Sequence, residues 1–417
     1  MGVIDELLQG IPLPRMVKVR QKFHAPEVPD VARAVQDTIR ETGVLQRVSP
    51  GDRVAIAVGS RGVAEIPVLT REVVKAIQSA GGQPFIVPAM GSHGGATAEG
   101  QLDVLKQLGI TEQTVGAPIR SSMEVVQVGR LPNGLPVYTD QHAYEADKVV
   151  VINRIKPHTA FRGRVESGLM KMITIGLGKQ KGAEAAHAYS FKYMAEHVPA
   201  MAKVVMSRVP IIFGLGTIEN AYDRPAKIIA VPSEKIEEIE PELLVEAKAL
   251  MPKILFDPMD VLVVDEIGKD ISGDGMDPNI TGRYPTPYAS GGPEVKRIVV
   301  LGLTEKTHGN ANGIGLADIT TKKVFDAIDW KKGYANALTS TVVDVVKMPM
   351  FLETEKLAVQ AAIKTCNCFD MEKVRLVRIK NTLELKEIWI SESLLPEAIE
   401  REDVDVLTGP APIELEG

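Results

Sequence analysis

The order of apolar and amphipathic segments predicts an α/β protein: two α/β domains with parallel-type sheets and an active-site cleft between them. Three observations carry this expectation. The chain has 417 residues, 45% of them hydrophobic and 24% charged, ordinary globular values on a chain too long for one compact core. From Arg53, an apolar run to Val58, an amphipathic stretch (Pro67 to Ala80), a second apolar run (Phe85 to Val87) and a second helix-like stretch (Thr97 to Leu108) alternate. Crossovers of that length join parallel strands right-handedly, and the same grammar resumes at Lys148 to Ile152 and at Ile211 to Gly214.

A second α/β unit is expected from residue 256. New strands are read at Val261 and near Val299, with helical signals around Val324 to Ile328. The segment PSEKIEEIEPELLVEAKALMPK, acidic and then amphipathic, suits a helix leading into the boundary. The division is therefore 1–255 and 256–417.

Composition narrows the partners. A net charge of -6 without basic blocks gives no electrostatic footprint for nucleic acid or an acidic membrane surface. Small molecules are the expected ligands. The start of the chain has no basic segment followed by an apolar core, and no run of about 18 uncharged apolar residues appears. A cytoplasmic protein is expected. The cysteines, Cys366 and Cys368, are spaced too closely for an unstrained bridge and are too few for a metal cage, so they read as reduced structural thiols.

In open parallel sheets, ligands gather beyond the carboxyl ends of the strands. Three consecutive strand ends here carry chemistry: VGSRGV places Arg61, PAMGSHGG places His93 and NRIKPH places His158. A solvated loop side chain is the bland reading of each alone. Gly91, Gly94 and Gly95 tilt the His93 case, because glycine lets backbone approach a ligand closely. Further on, Lys171 sits between Met170 and Met172. A desolvated amine there is nucleophilic, whereas snorkelling to the surface is the alternative. Gly176, Gly178 and Gly182 precede a helix expected from Ala183, where backbone N–H groups with Lys179 and Lys181 could hold a phosphate; simple loop punctuation also explains them. His187, Phe191, Met194, Val198 and Met201 recur at helical spacing, placing His187 on an inward apolar stripe and His197 off it.

Taken in order, Arg61, the GSHGG loop with His93, KPHTAF with His158, Lys171 and a histidine sixteen residues later, His187, resemble the nickel-pincer-nucleotide family whose type member is lactate racemase. The resemblance spans most of the chain. It implies that Lys171 holds a pyridinium-derived mononucleotide through a thioamide linkage and that His187 is the nickel ligand. It further implies that Arg61 engages a substrate carboxylate and that His93 and His158 are paired acid/base groups. Two departures stand out: the histidine loop continues His93-Gly94-Gly95 where the family usually has His-Arg-Pro, and the approach to the lysine reads ESGLMK. From the second domain, GKDISGDGMDPNITGR resembles a family loop entering the cleft, offering Lys269 and Asn279, with Asp277 and Arg283 behind them; a tight turn is the alternative. His308, in THGNANGIG, is either a cleft residue or part of a turn cluster.

The implied activity is racemisation or epimerisation of a 2-hydroxy acid by proton-coupled hydride transfer. The hydride acceptor belongs to the cofactor, since no side chain accepts hydride. Histidines suit the proton transfers and a guanidinium fixes the carboxylate. Cofactor maturation enzymes follow as partners. Two other readings remain open at this stage: a zinc hydrolase built on His93, His158 and His187, and a non-catalytic nucleotide-binding protein. A redox or elimination reaction within the same family is a third.

Overall fold

A computed structural model describes residues 2–60 and 62–416. It divides into two compact units, His24–Met251 and a unit that joins the start of the chain to Pro252 and beyond.

In the unit His24–Met251, each expected strand forms. Its five-stranded sheet runs in the order Gln83–Pro88, Arg53–Val58, Lys148–Arg154, Ile211–Glu219, Pro225–Pro232. The first four strands are parallel and the last is antiparallel to its neighbour. These strands are near-continuous apolar runs because helices cover both faces of a parallel sheet. Val54, Ile56, Val58, Val150 and Ile152 lie in one core cluster with Leu69, Val73 and Ile77 of the helix Ile66–Ser79. Burying each such side chain contributes about 1.5–3 kcal/mol. The helix Ala98–Gln107 starts where Thr97 accepts from the Gly100 amide at 3.0 Å, an ordinary N-cap. An antiparallel hairpin, Val125–Arg130 with Pro136–Asp140, stands apart from the main sheet.

The chain leaves the Arg53 strand toward Gln83–Pro88 on one side and returns as Lys148–Arg154 on the other. Strand order therefore reverses between the Arg53 and Lys148 strands, and open parallel sheets gather ligands beyond the carboxyl ends at such a point.

The second unit is built on a nine-stranded mixed sheet. Met350–Leu352, Ile319–Thr321, Val295–Val300, Met259–Val264 and Leu376–Ile379 pair in parallel. Glu387–Ser391 and Arg15–Gln21 extend the sheet antiparallel. The expected parallel-type sheet is thus half antiparallel here. The division also differs from the expected one: residues 1–23 belong to this unit, which resumes at Pro252. The physical reason is the strand Arg15–Gln21, whose Met16, Val17 and Val19 are buried while both edges pair, with Glu387–Ser391 and Val404–Val406. Among the described residues no helix is long and apolar enough to cross a membrane.

Candidate active site

Backbone hydrogen bonds pull the strand-end loops toward one helical segment. The Gly91 amide donates to the Gly176 carbonyl at 3.2 Å, and a Cβ on Gly59 would lie 2.9 Å from the Met172 methyl. The segment Leu169–Gly176 therefore packs against the ends of both the Arg53 and Gln83 strands. Arg61 itself lies outside the described residues. Its neighbour Ser60 meets His93 Nδ1 through Oγ.

The His158 loop is fixed from inside. Glu166, with a fully buried carboxylate, accepts the His158 amide at 2.7 Å and Lys248 Nζ at 2.7 Å, with Arg162 Nη1 at 3.3 Å. Arg162 Nη1 also donates to the His158 carbonyl at 2.6 Å. The imidazole takes a hydrogen bond from the Ala160 amide onto Nδ1 at 3.0 Å and lies against Phe161, with ring centroids 4.5 Å apart.

Lys171 closes a short helical turn, Leu169–Lys171, that continues as a π-helix over Met172–Gly176. Such wide turns concentrate at functional sites. Met170 and Met172 are buried and Lys171 is half-buried between them. Glu240 accepts the Met170 amide at 2.9 Å at the start of this turn. A Cβ on Gly168 would stand 2.1 Å from Glu240 Oε1, so only glycine permits that approach.

His187 ends the helix Lys179–His187. Its Nδ1 lies 2.6 Å from the Ala183 carbonyl, which can only accept, so Nδ1 carries the proton and Nε2 keeps its lone pair. Burial pushes this imidazole below the usual histidine range, and the Lys171 charge acts in the same direction. His187 is therefore a neutral ring, oriented by a carbonyl, with the nitrogen that binds metals unprotonated. Both histidines share one aromatic neighbour: Phe191 lies 5.1 Å from the His187 ring and 5.9 Å from the His158 ring. One lysine and one neutral imidazole fit a cofactor that brings most of its own metal donors. Among the described residues, no three His, Cys, Asp or Glu side chains are grouped to hold a metal. The zinc arrangement of His93, His158 and His187 is thereby corrected: among the described residues His93 and His158 sit on separate loops, His187 ends a helix, and the three are not grouped as a ligand cage.

Several expectations need revision. His187 and Phe191 do not share a helix with Met201, because Ser190 takes φ 63° and a new helix begins at Met194. His197 is buried rather than off the core, accepting from Asn133 Nδ2 at 3.0 Å and stacking on Tyr193. Lys179 is fully buried, with Nζ on the Pro88 carbonyl, on Gln101 Oε1 at 2.9 Å and on Asp140 at 3.3 Å. Burial lowers the lysine's pKa against the pull of Asp140 and raises that of Asp140 against the pull of Lys179. Gln101 passes this anchorage on, donating to the Gly91 carbonyl at 3.0 Å and the His93 carbonyl at 3.3 Å. Lys179 is thus a support for the His93 loop. Gly178 is buried too, and a Cβ there would come within 2.4 Å of the Thr174 carbonyl, so close packing accounts for glycine at that position.

Lys269 and Asn279 lie in the other unit, each engaged in its own loop. Lys269 Nζ donates to the Gly273 carbonyl at 2.6 Å, and Asn279 Nδ2 to Asp277 Oδ1 at 2.8 Å. Arg283 forms a two-pronged pair with Asp318 at 3.1 and 3.0 Å. His308 adopts φ 47° at the end of a short turn. Cys366 is buried and Cys368 partly so, both unbridged; burial, then Cys366, pushes the Cys368 thiol up to about 11.

The residues that sequence reasoning missed are the supports: Ser60, Gln101, Asp140, Glu166 and Glu240. Glu166 had a faint signal in its i,i+4 spacing from Arg162; the others had none.

Residues 9–198 match the lactate racemase N-terminal domain family. No curated protein sequence matches the chain. Among solved structures, the fold is similar to the lactate racemase apoprotein from Thermoanaerobacterium thermosaccharolyticum. That likeness has a TM-score of 0.52 at 15% identity and covers 92% of this chain and 96% of the other. The chain thus shares the fold of that structure, and over residues 9–198 it is similar to the lactate racemase N-terminal domain family.

Proposed function

We propose that this protein is a racemase or epimerase of a 2-hydroxy acid that works with a nickel-pincer nucleotide. The observation that carries the reading is His187: a neutral imidazole held through Nδ1 by Ala183, close enough to Lys171 to feel its charge. Lys171 would carry the nucleotide covalently and His187 would coordinate its nickel through Nε2. When bound, the nucleotide supplies the hydride acceptor that amino-acid side chains lack.

The chain's own residues supply the rest. The guanidinium of Arg61 pairs with the substrate carboxylate and decides which substituents face the acceptor. His93 and His158 handle the hydroxyl proton. Phe161 and Phe191, both buried beside His158, keep water from the reacting carbon. Lys269, Asn279 and Gly178 are proposed as cofactor-binding residues. A cytoplasmic location and dependence on cofactor maturation enzymes complete the proposal.

The test is intact-protein mass and metal content on protein from its native host, together with enantiomer interconversion assays on 2-hydroxy acids. The expected result is one nickel and a nucleotide-sized increment on Lys171. Lys171→Ala loses the increment, while His187→Ala keeps it and loses nickel. Covalent nucleotide on Lys171→Ala protein, or interconversion by a nickel-free, adduct-free protein, would overturn the assignment.

A further inference from the structure

Carbonyls of the His93 loop converge on the side chain of Gln101. We infer that Gln101 is a positioning residue for His93, its carboxamide clamped by Lys179 in the one orientation that lets it hold the loop. This inference rests on the racemase reading and deepens it, because it says what sets the place of one of the two proton-handling histidines.

A carboxamide has an accepting end and a donating end of nearly the same shape, so its orientation is decided by its partners. Lys179 Nζ, which can only donate, lies 2.9 Å from Gln101 Oε1. The oxygen must therefore face the lysine, and Nε2 must face the other way. Nε2 donates to the Gly91 carbonyl at 3.0 Å and to the His93 carbonyl at 3.3 Å. The side chain is fully buried. Turning the amide over would set donor against donor at Lys179 and acceptor against acceptor at the loop, with no water to relieve either.

Lys179 is fixed in its turn. Its Nζ also meets the carbonyl of Pro88, the last residue of the strand that leads into the loop, and Asp140, whose Oδ1 accepts the Ala143 amide at 2.9 Å. Its backbone takes φ 53°, a left-handed conformation that persists in a non-glycine residue where the surroundings enforce it. A buried ion pair is seldom the most stabilising way to fill a core; what it supplies here is polarity. Lys179 also opens the helix that ends at His187. One residue thus starts the helix of the proposed nickel ligand and, through Gln101, holds the loop of a proposed acid/base group. The main chain allows the approach: a Cβ on Gly94 would lie 2.6 Å from the Gln101 amide nitrogen, and Gly94 takes φ 66°. Glycine there lets the helix Ala98–Gln107 close on the loop.

Proton transfer needs its heavy atoms within about 2.6–3.2 Å, so a loop displaced by about 1 Å loses about 10²-fold in rate. Two variants test this. Gln101→Met keeps the length of the side chain and removes both ends of the clamp. Gln101→Glu keeps an acceptor for Lys179 but turns an oxygen toward the Gly91 and His93 carbonyls. Imidazole spectra of 13C-histidine-labelled apoprotein, assigned with His93→Gln and His158→Gln, read the rings without any cofactor. The expected result in both variants is that the His93 signals move while those of His158, tied to Glu166 instead, stay in place. In loaded enzyme both variants should keep nickel and the Lys171 adduct and lose about 10²-fold in kcat in both directions, with KM nearly unchanged. A folded variant with unmoved His93 signals or wild-type kcat overturns the inference, as does one in which the His158 signals move as far. Should neither variant fold, the wild type decides: a crystal structure of the apoprotein with Gln101 Nε2 beyond about 3.5 Å of both carbonyls overturns it, and one that reproduces both contacts supports it. Failure of the racemase reading looks different: no nickel and no adduct in wild-type protein, whatever the imidazole spectra of the variants show.

Discussion

The His93 loop and the His158 loop are held by buried charges of opposite sign. Under the His158 loop the buried group is a carboxylate, Glu166, answered by Lys248 and Arg162 and by two amides, those of His158 and Gly163. Under the His93 loop it is an amine, Lys179, answered by Asp140 and acting through Gln101 on the carbonyls of Gly91 and His93. A carboxylate can only accept, so it gathers amides and cations around the turn. An ammonium can only donate, so it gathers carbonyls and needs a relay to reach the loop. The His158 loop is consequently tied at the histidine's own amide, whereas the His93 loop is tied at carbonyls and its ring at a rotatable hydroxyl.

Breaking each support separately tests this contrast. The largest effect is expected from Glu166→Ala, which strands Arg162 beside the buried turn and leaves the His158 amide unsatisfied. Removing one partner of a buried pair costs about 3–5 kcal/mol, and this variant belongs at the upper end because two amides lose their acceptor as well. Urea unfolding measures it, and a loss below about 1 kcal/mol would show that the hub is not structural. Lys179→Met should cost somewhat less, about 3–4 kcal/mol, because Asp140 is already pushed toward its neutral form and can take up a proton when the amine is gone. The double variant Lys179→Met with Asp140→Asn should recover part of that loss. If it is additive instead, the two groups are not coupled in the way the contacts imply.

Much of this architecture was legible in the sequence, and for one reason. Strands such as Arg53–Val58 and Lys148–Arg154 are apolar runs punctuated by glycine, proline and polar loops, so their ends and the residues just beyond them can be located by position alone. That is how His93, His158, Lys171 and His187 were singled out. What position does not reveal is tertiary partnership. Lys179 reads as a phosphate-binding charge or as loop punctuation in GLGKQKG, yet it is fully buried against residues 39 and 78 positions away. The apolar stripe from His187 to Met201 has a helical period, but Ser190 breaks the helix in a conformation that no periodicity records. The strand Arg15–Gln21 was missed as a member of the far unit because its partners lie near residues 390 and 405. Contacts across such separations depend on the whole fold, and only the fold discloses them.

Glu240 is a third buried ionisable group, and it sharpens the comparison because no ion pair answers it among the described residues. Its Oε2 accepts the Met170 amide at 2.9 Å at the start of the Lys171 turn, while Oε1 is buried with no hydrogen-bond partner among the described residues. Burial raises its pKa from 4.5 to about 7, and the amides of Met170 and Leu169 only partly oppose the rise. A carboxyl whose folded pKa lies above its unfolded one binds more protons in the folded state between those two values. Stability therefore falls as pH rises through that window, from about 4.5 to about 7, and is flat above it. A shift of that size corresponds to about 3 kcal/mol across the window. Glu240→Gln keeps an acceptor for the Met170 amide and removes the titration, so the stability difference between wild type and variant should change by about 3 kcal/mol between pH 4.5 and 8. Parallel stability curves for the two proteins across that range would show that the carboxyl is solvated or paired, and the contrast between supported and unsupported buried charge would fail at this position.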